Sequence, residues 1–247
     1  MARAPADPAS QTRPVRALRP RDAATLIVVD PSGSEPRILM GRRRPDQVFL
    51  PNKFVFPGGR VDRSDRTAPC CDALPDGEVE KLLHDMKGAA SRSRAQALAL
   101  AALRETYEET GLVIGNPALQ RQPEVSATSW RAFHATGYLP ALSGLRFLAR
   151  AITPPGRPRR YDTRFFAVDA AAIAHRGPPL DEELSGIDWF TIDEARGLDL
   201  PNITRAIIED LADRLVAGAL ASPLAPVPYY FFAKGSFCRQ LIAAGGA

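Results

Sequence analysis

The 247-residue chain is poor in cysteine, histidine and lysine, and each shortage excludes something. Of its three cysteines, Cys70 and Cys71 are adjacent and Cys238 is remote. That spacing fits neither a disulfide framework nor a zinc site, so a reducing, cytoplasmic compartment is expected. The histidines, His84, His134 and His175, are scattered and suggest no metal or nucleophile triad. No apolar run approaches the roughly 18 residues that a membrane span needs. The arginines near the start are followed by no apolar segment, which argues against a secretory signal. Recognition-helix patterns, zinc motifs and interleaved basic and aromatic residues are also missing, so no nucleic-acid partner is expected. There are no internal repeats.

What remains is an ordinary hydrophobic share of 45% and a mild net charge of +4. These fit one large domain over residues 21–247 behind a leader of residues 1–20. Proline recurs in the leader at positions 5, 8, 14 and 20, as in a disordered segment, although an arginine-rich, acid-poor start also imitates a transit peptide. Lysine occurs only at 53, 81, 87 and 234, so nearly all the positive charge is arginine. It clusters at Arg42-Arg43-Arg44 and at Arg157, Arg159 and Arg160. Guanidinium forks match phosphate oxygens, which points to a phosphate-rich small molecule.

Along the chain, residues 23–29 read as an apolar strand, residues 37–40 as its hairpin partner and residues 54–56 as a short strand before a Gly-Gly turn. Residues 63–93 are polar and rich in turns. They hold one candidate helix, 78–87, in which Val79, Leu82, Leu83 and Met86 form an apolar stripe. This segment reads as an inserted subdomain or lid. A strong helix is expected over 95–110, strands over 145–152, 163–168 and 187–190, a short helix from 191–194 and a longer one over 202–217. The remaining tail reads as apolar and irregular. Strands and helices intermix without strict alternation, which predicts an α/β fold with a mixed sheet between helical layers.

The chemistry concentrates in Arg104-Glu105-Thr106-Tyr107-Glu108-Glu109-Thr110-Gly111-Leu112. At about 100° per residue, Glu108 and Glu109 fall near 300° and 40° from Glu105 on the helical wheel. The three carboxylates therefore share one face, opposite Leu100, Leu103 and Tyr107. Like charges at these spacings repel by a few tenths of a kcal/mol per pair. A hard divalent cation with oxygen ligands turns that repulsion into a site. Gly111 stands where a helix ends in a left-handed residue.

The Phe54-Val55-Phe56-Pro57-Gly58-Gly59 strand and turn, together with this helix, resemble the Nudix box. In that family a glycine, five residues and an acid precede, after seven more, Arg-Glu-hydrophobic-x-Glu-Glu-x-Gly. Arg104, Glu105, Glu108, Glu109, Gly111 and Leu112 match the second half, with Thr106 in place of an aliphatic residue. The first half departs: Asp65 follows Gly59 at the acid's position, and about thirty extra residues separate it from Arg104. An insertion here resembles the peroxisomal-type coenzyme A diphosphatase branch and its bacterial relatives. Residues 38–43, Phe49-x-Pro51 and residues 160–166 resemble it too. Lys53 stands where the stricter coenzyme A signature has glycine.

The resemblance implies a Nudix fold, an α/β/α sandwich with a small helical insertion. It also implies hydrolysis of a nucleoside diphosphate linked to another moiety, coenzyme A or acyl-CoA in the first place and ADP-ribose or NADH as the alternative. A non-catalytic nucleotide-binding regulator is the rival of a different class. Glu105, Glu108 and Glu109 would hold Mg²⁺, or Mn²⁺ in its place, with the Gly58 carbonyl as a further ligand. Arg104 would brace the glutamates, itself held by Asp65 or Asp62. The general base would be a box glutamate or an acid from a distal loop, with Glu182 and Glu183 as candidates. Arg42, Arg43, Arg160 and Arg164 would meet substrate phosphates, Arg164 being equally suited to a structural role. Relatives also make a homodimer a reasonable expectation, and no membrane partner is implied.

Overall fold

Residues 26–29 are apolar at consecutive positions because both faces of the strand they belong to are covered. In the computed structural model, which describes residues 18–118, 128–220, 222 and 225–243, this is β1 (Arg21–Asp30). It turns Ala24, Leu26 and Val28 into one core and Ile27 and Val29 into another. The leader over residues 1–17 lies outside the described residues.

The elements that follow are β2 (Arg37–Arg43), β3 (Phe54–Val55), β4 (Gly58–Arg60), α1 (Asp76–Leu83), α2 (Arg92–Thr110) and β5 (Leu112–Pro117). Next come α3 (Thr128–Ala135), β6 (Tyr138–Pro140), β7 (Arg146–Ile152), β8 (Tyr161–Asp169), β9 (Ile173–Arg176) and β10 (Leu184–Thr191). The chain continues through α4 (Ile192–Arg196), α5 (Asn202–Val216), β11 (Val227–Ala233) and β12 (Ser236–Ile242). Among the described residues the main sheet has the order β10-β2-β1-β8-β7-β11-β12, with β3 paired to β2 and β4 to β1. It is mixed: β1–β8 and β7–β11 are parallel and the other pairs antiparallel. A second sheet, β6-β5-β9, follows directly from α2.

The α1–α2–α3 side holds one core, with Leu82, Leu98 and Phe133 fully buried, and the α4–α5 side the other, with Ala195, Ile207 and Leu211. This is the α/β/α layering expected from the sequence. The two helices after β10 also agree: Thr191 caps α4 with a reciprocal capping box to Glu194.

Two expectations are corrected. The 63–93 segment is not a lid. Ala68, Leu74, Val79, Leu82 and Met86 are buried in the same core as α2 and the sheet, so the segment is a wall of that core. Its helix also stops early, at Leu83. The tail is not irregular: β11 and β12 form a regular hairpin of seven cross-strand pairs. Pro228 disguises the first strand in the sequence, and the turn is Lys234-Gly235, with φ of 49° and 81°.

Candidate active site

Helix α2 carries the acidic residues to the sheet. Ser91 caps its start by accepting the Arg94 N–H, and Gly111, at φ 72°, ends it with its N–H on the Tyr107 carbonyl at 2.8 Å. A side chain at Gly111 would also sit 2.0 Å from the Gly177 carbonyl oxygen, so the close passage of the 177–183 loop requires glycine. That loop docks on the helix end: Leu180 and Asp181 donate their N–H groups to the Glu108 carbonyl at 2.7 and 3.2 Å.

The Gly-Gly turn meets the carboxylates directly. The Gly58 N–H donates to Glu109 Oε2 at 2.9 Å. A Cβ on Gly59 would lie 2.4 Å from the Glu105 carboxylate, so the Glu105 carboxylate occupies the space a side chain would fill. Thr106 is accommodated by a hydrogen bond from its hydroxyl to the Ala102 carbonyl at 2.7 Å.

Arg104 lies at the centre. Its Nε and Nη2 grip Asp65 at 2.8 and 3.1 Å, Nη2 also donates to the Arg60 carbonyl at 3.0 Å, and Nη1 meets Glu105 at 2.9 Å and Glu108 at 2.8 Å. The bracing acid that the sequence left open between Asp62 and Asp65 is thus Asp65, which is fully buried. Asp62 instead accepts the N–H of Ser64. Trp130, from α3, donates its indole N–H to Asp65 at 3.0 Å, a contact that no local sequence signal announced.

Burial, with repulsion from Glu108, pushes the Glu105 carboxyl up to about 7 despite the opposing Arg104 charge. Burial also raises Glu109 well above the ordinary carboxylate range; the Gly58 hydrogen bond works against this, and Glu105, Glu183 and Asp181 add to it. Burial disfavours the Arg104 charge, but Asp65, Glu105 and Glu108 outweigh it and raise its pKa. Among the described residues no three acidic, imidazole or thiol groups converge into a ready-made cation cage. The donor chemistry nevertheless suits a hard cation: all three side chains offer carboxylate oxygen, and two are destabilised as anions where they stand.

The distal candidates divide. Glu183 and Asp181 are close enough to influence Glu109, and Asp181 was missed from the sequence. Glu182 turns away into a pair with Arg44 at 2.6 Å and is 86% exposed at its side chain. Arg43 reaches Glu183 at 3.5 Å and otherwise fastens the 44–53 loop through the Phe49 carbonyl and Gln47. Arg42 holds the Asn52 carbonyl of the same loop. Arg160 is engaged by the carbonyls of Thr153 and Leu18.

Of the two roles open to Arg164, the structural one holds and the phosphate contact is corrected. It is fully buried, paired with Asp162 at 2.9 Å and Asp22 at 3.3 Å, and so cannot meet a substrate phosphate. Asp22 links it to Arg94, and Asp162 to Arg150, making a charged brace between α2 and the sheet.

A family model for the NUDIX domain matches residues 19–211. Putative nudix hydrolase 7 of Caenorhabditis elegans is 27% identical over 191 residues, covering 71% of this chain and 54% of that protein. Human acyl-coenzyme A diphosphatase NUDT19 is 24% identical over 211 residues, covering 64% of this chain and 54% of that protein. The chain spans about half the length of the curated relatives it matches. The crystal structure of a NUDIX hydrolase from Alicyclobacillus acidocaldarius aligns with a TM-score of 0.57 at 28% identity, covering 77% of this chain and 90% of that one. No helix among the described residues is long and apolar enough to cross a membrane.

Proposed function

The chain belongs to the Nudix family, and from that premise we propose that it is a divalent-metal-dependent hydrolase of a nucleoside diphosphate linked to another moiety, with coenzyme A or acyl-CoA as the substrate. The observation that carries this reading is the junction of Glu109 with Gly58, and of Glu105 and Glu108 with Asp65 through Arg104, across a split of the motif. A binding-only module would have no use for three carboxylates that repel one another on one helical face. The similarity to the human acyl-coenzyme A diphosphatase supports the substrate class.

Mg²⁺ or Mn²⁺ held by Glu105, Glu108 and Glu109 would neutralise diphosphate oxygens and make a bound water nucleophilic. The chain's own residues then have separate tasks. Asp65 and Trp130 fix Arg104, and Arg104 fixes the approach of Glu105 and Glu108. Gly58 orients Glu109 through its N–H, and its carbonyl remains the candidate backbone ligand. Burial and Glu108 disfavour the Glu105 anion where it stands, and a bound cation would supply the charge that offsets this. Glu183 and Asp181 are the acids of the distal loop that bear on the same charge. Arg42, Arg43 and Arg160 are the arginines retained as phosphate contacts.

Lys53, in place of the glycine of the coenzyme A signature, favours ADP-ribose or NADH as the second reading. A panel of coenzyme A, acyl-CoA, ADP-ribose, NADH and diadenosine polyphosphates, read by product mass, separates the two. Release of 3′,5′-ADP from coenzyme A is the expected result; AMP from ADP-ribose with no cleavage of coenzyme A would replace it by the second reading.

A further inference from the structure

The two ends of the main sheet are built differently. At one end, β10 carries the usual protections of an edge: a register shift between Ser185 and Asp188, a left-handed Gly186 at φ 54° and the exposed charge of Asp188. At the other end, β12 has neither a register shift nor a left-handed residue within the strand, and its one charge is Arg239. It pairs with β11 in unbroken register from Ser236 to Ile242, contains no proline or lysine, and among the described residues nothing pairs with its outer side. Its exposed residues include large apolar side chains beside Ser236, Arg239 and Gln240. Phe232, Phe237 and Leu241, exposed by 41%, 56% and 57%, all belong to this hairpin.

The turn fixes which backbone groups are free. Positive φ at both Lys234 and Gly235 marks a type I′ two-residue hairpin, in which the flanking pair, Ala233 and Ser236, is hydrogen-bonded. Alternation along the antiparallel pair then leaves the N–H and C=O of Phe237, Arg239 and Leu241 pointing outward. The only charge on the strand is already compensated. Arg239 reaches Asp210 at 2.9 Å and the Tyr230 hydroxyl at 3.2 Å, and Phe237 stacks on the Tyr230 ring at 5.6 Å.

We propose that β12 is a self-association edge, on which a second copy of this chain adds its own β12 in antiparallel register about a two-fold axis through Arg239. A two-fold axis at a strand edge generates an antiparallel pair without further adjustment, since the same patch serves both copies. Centred on Arg239, this register satisfies all three outward donors and acceptors of each strand. It sets Phe237 of each copy beside Leu241 of the other on the face shared with Tyr230. The two central arginines face each other, but each is held by its own Asp210, so they do not meet as unpaired like charges. The contact is small, so dissociation is expected in the micromolar range, about 1–100 μM.

Sedimentation velocity on the full chain between about 1 and 200 μM tests this. The expected result is a monomer–dimer equilibrium whose midpoint rises at least about tenfold in Phe237→Lys and in Leu241→Lys, with thermal unfolding and hydrolysis unchanged. Both side chains are exposed, so neither substitution threatens the fold. The register is read separately by Gln240→Cys under mild oxidation: the introduced thiol should cross-link to Cys238 of the second copy, because these positions face each other across the axis. A chain that stays monomeric at the top concentration, or a dimer that both lysine variants leave intact, overturns the proposal. A Cys238–Cys238 cross-link in the unsubstituted protein overturns the register. Capture of another protein's strand without self-association assigns the edge to a different occupant.

Discussion

Replacing Asp65 tests whether the two halves of the box act as one unit. Asp65 is fully buried and accepts four hydrogen bonds: two from Arg104 at 2.8 and 3.1 Å, one from Trp130 at 3.0 Å and one from the Asp62 N–H at 2.7 Å. Removing one partner of a buried ion pair typically costs about 3–5 kcal/mol, because the other charge stays buried. Arg104 keeps Glu105, Glu108 and the Arg60 carbonyl, which places the expected loss at the low end. Asp65→Ala should therefore destabilise by about 3 kcal/mol, a fall in Tm of roughly 6–12 °C for a chain of this size. Asp65→Asn keeps the volume but turns an amide N–H towards a donor, so a smaller loss of about 2 kcal/mol is expected. Urea unfolding followed by far-UV circular dichroism measures both. With its brace gone, Arg104 is free to bind Glu105 and Glu108 more closely and to compete with the cation, so kcat should drop about 10–100-fold even in the Asn variant. A double-mutant cycle with Arg104→Met should return a coupling of at least about 1 kcal/mol. Loss of under about 1 kcal/mol in Asp65→Ala, or full activity in the Asn variant, would refute the brace.

Glu108→Gln should lower Mg²⁺-dependent turnover by at least about a hundredfold with the fold intact, and unchanged turnover would remove the metal-site assignment. Two glycines should fail differently. Gly59→Ala displaces the movable Glu105 carboxylate and should depress activity far more than stability, whereas Gly111→Ala drives a side chain into the Gly177 backbone at φ 72° and should unfold the protein at lower denaturant; equal effects in both assays would contradict this. Among the described residues no group makes a well-formed hydrogen bond to either His134 nitrogen, and burial lowers its pKa, with the nearby Pro69 carbonyl acting against the shift. Its contribution is complete above the unfolded value of 6.5 and is lost as pH falls through the lower folded value, since the unfolded chain takes up the proton first. His134→Phe should flatten that part of the pH–stability curve, and an unaltered slope below pH 6.5 would show that the proton is taken up elsewhere.

Much of the architecture was legible because it rests on local rules. The apolar run of β1, the alanine- and leucine-rich body of α2, Gly111 at its end and the Thr191–Glu194 capping box all announce themselves within a few residues. What escaped depends on distant partners. Trp130 carries no sign of Asp65, which lies 65 residues upstream. Arg164 looked like a phosphate ligand because its neutralising acids, Asp22 and Asp162, belong to paired strands whose register the sequence does not state. The 63–93 segment read as an inserted subdomain or lid because it is polar and rich in turns, yet Glu78 and Lys81 are paired at 2.9 Å inside the core, each 1% exposed at the side chain. Part of the polarity there is therefore a buried ion pair and not exposure.

The position of the insertion explains how a split motif still yields one site. Asp65 stands at its start and α2 begins at its end, so both ends are anchored on the same arginine and the intervening length is free to vary. Closing a loop of about 38 residues rather than seven costs only about 1.5 kcal/mol more in chain entropy, since the penalty grows with the logarithm of length. One fully buried leucine side chain is worth about as much, and the segment contributes Leu74 and Leu82 at 2% and 1% exposure. The insertion is therefore held by its own contribution to the core. The carboxylate face, braced from Asp65 at one side and from the Gly58-Gly59 turn at the other, is independent of what lies between.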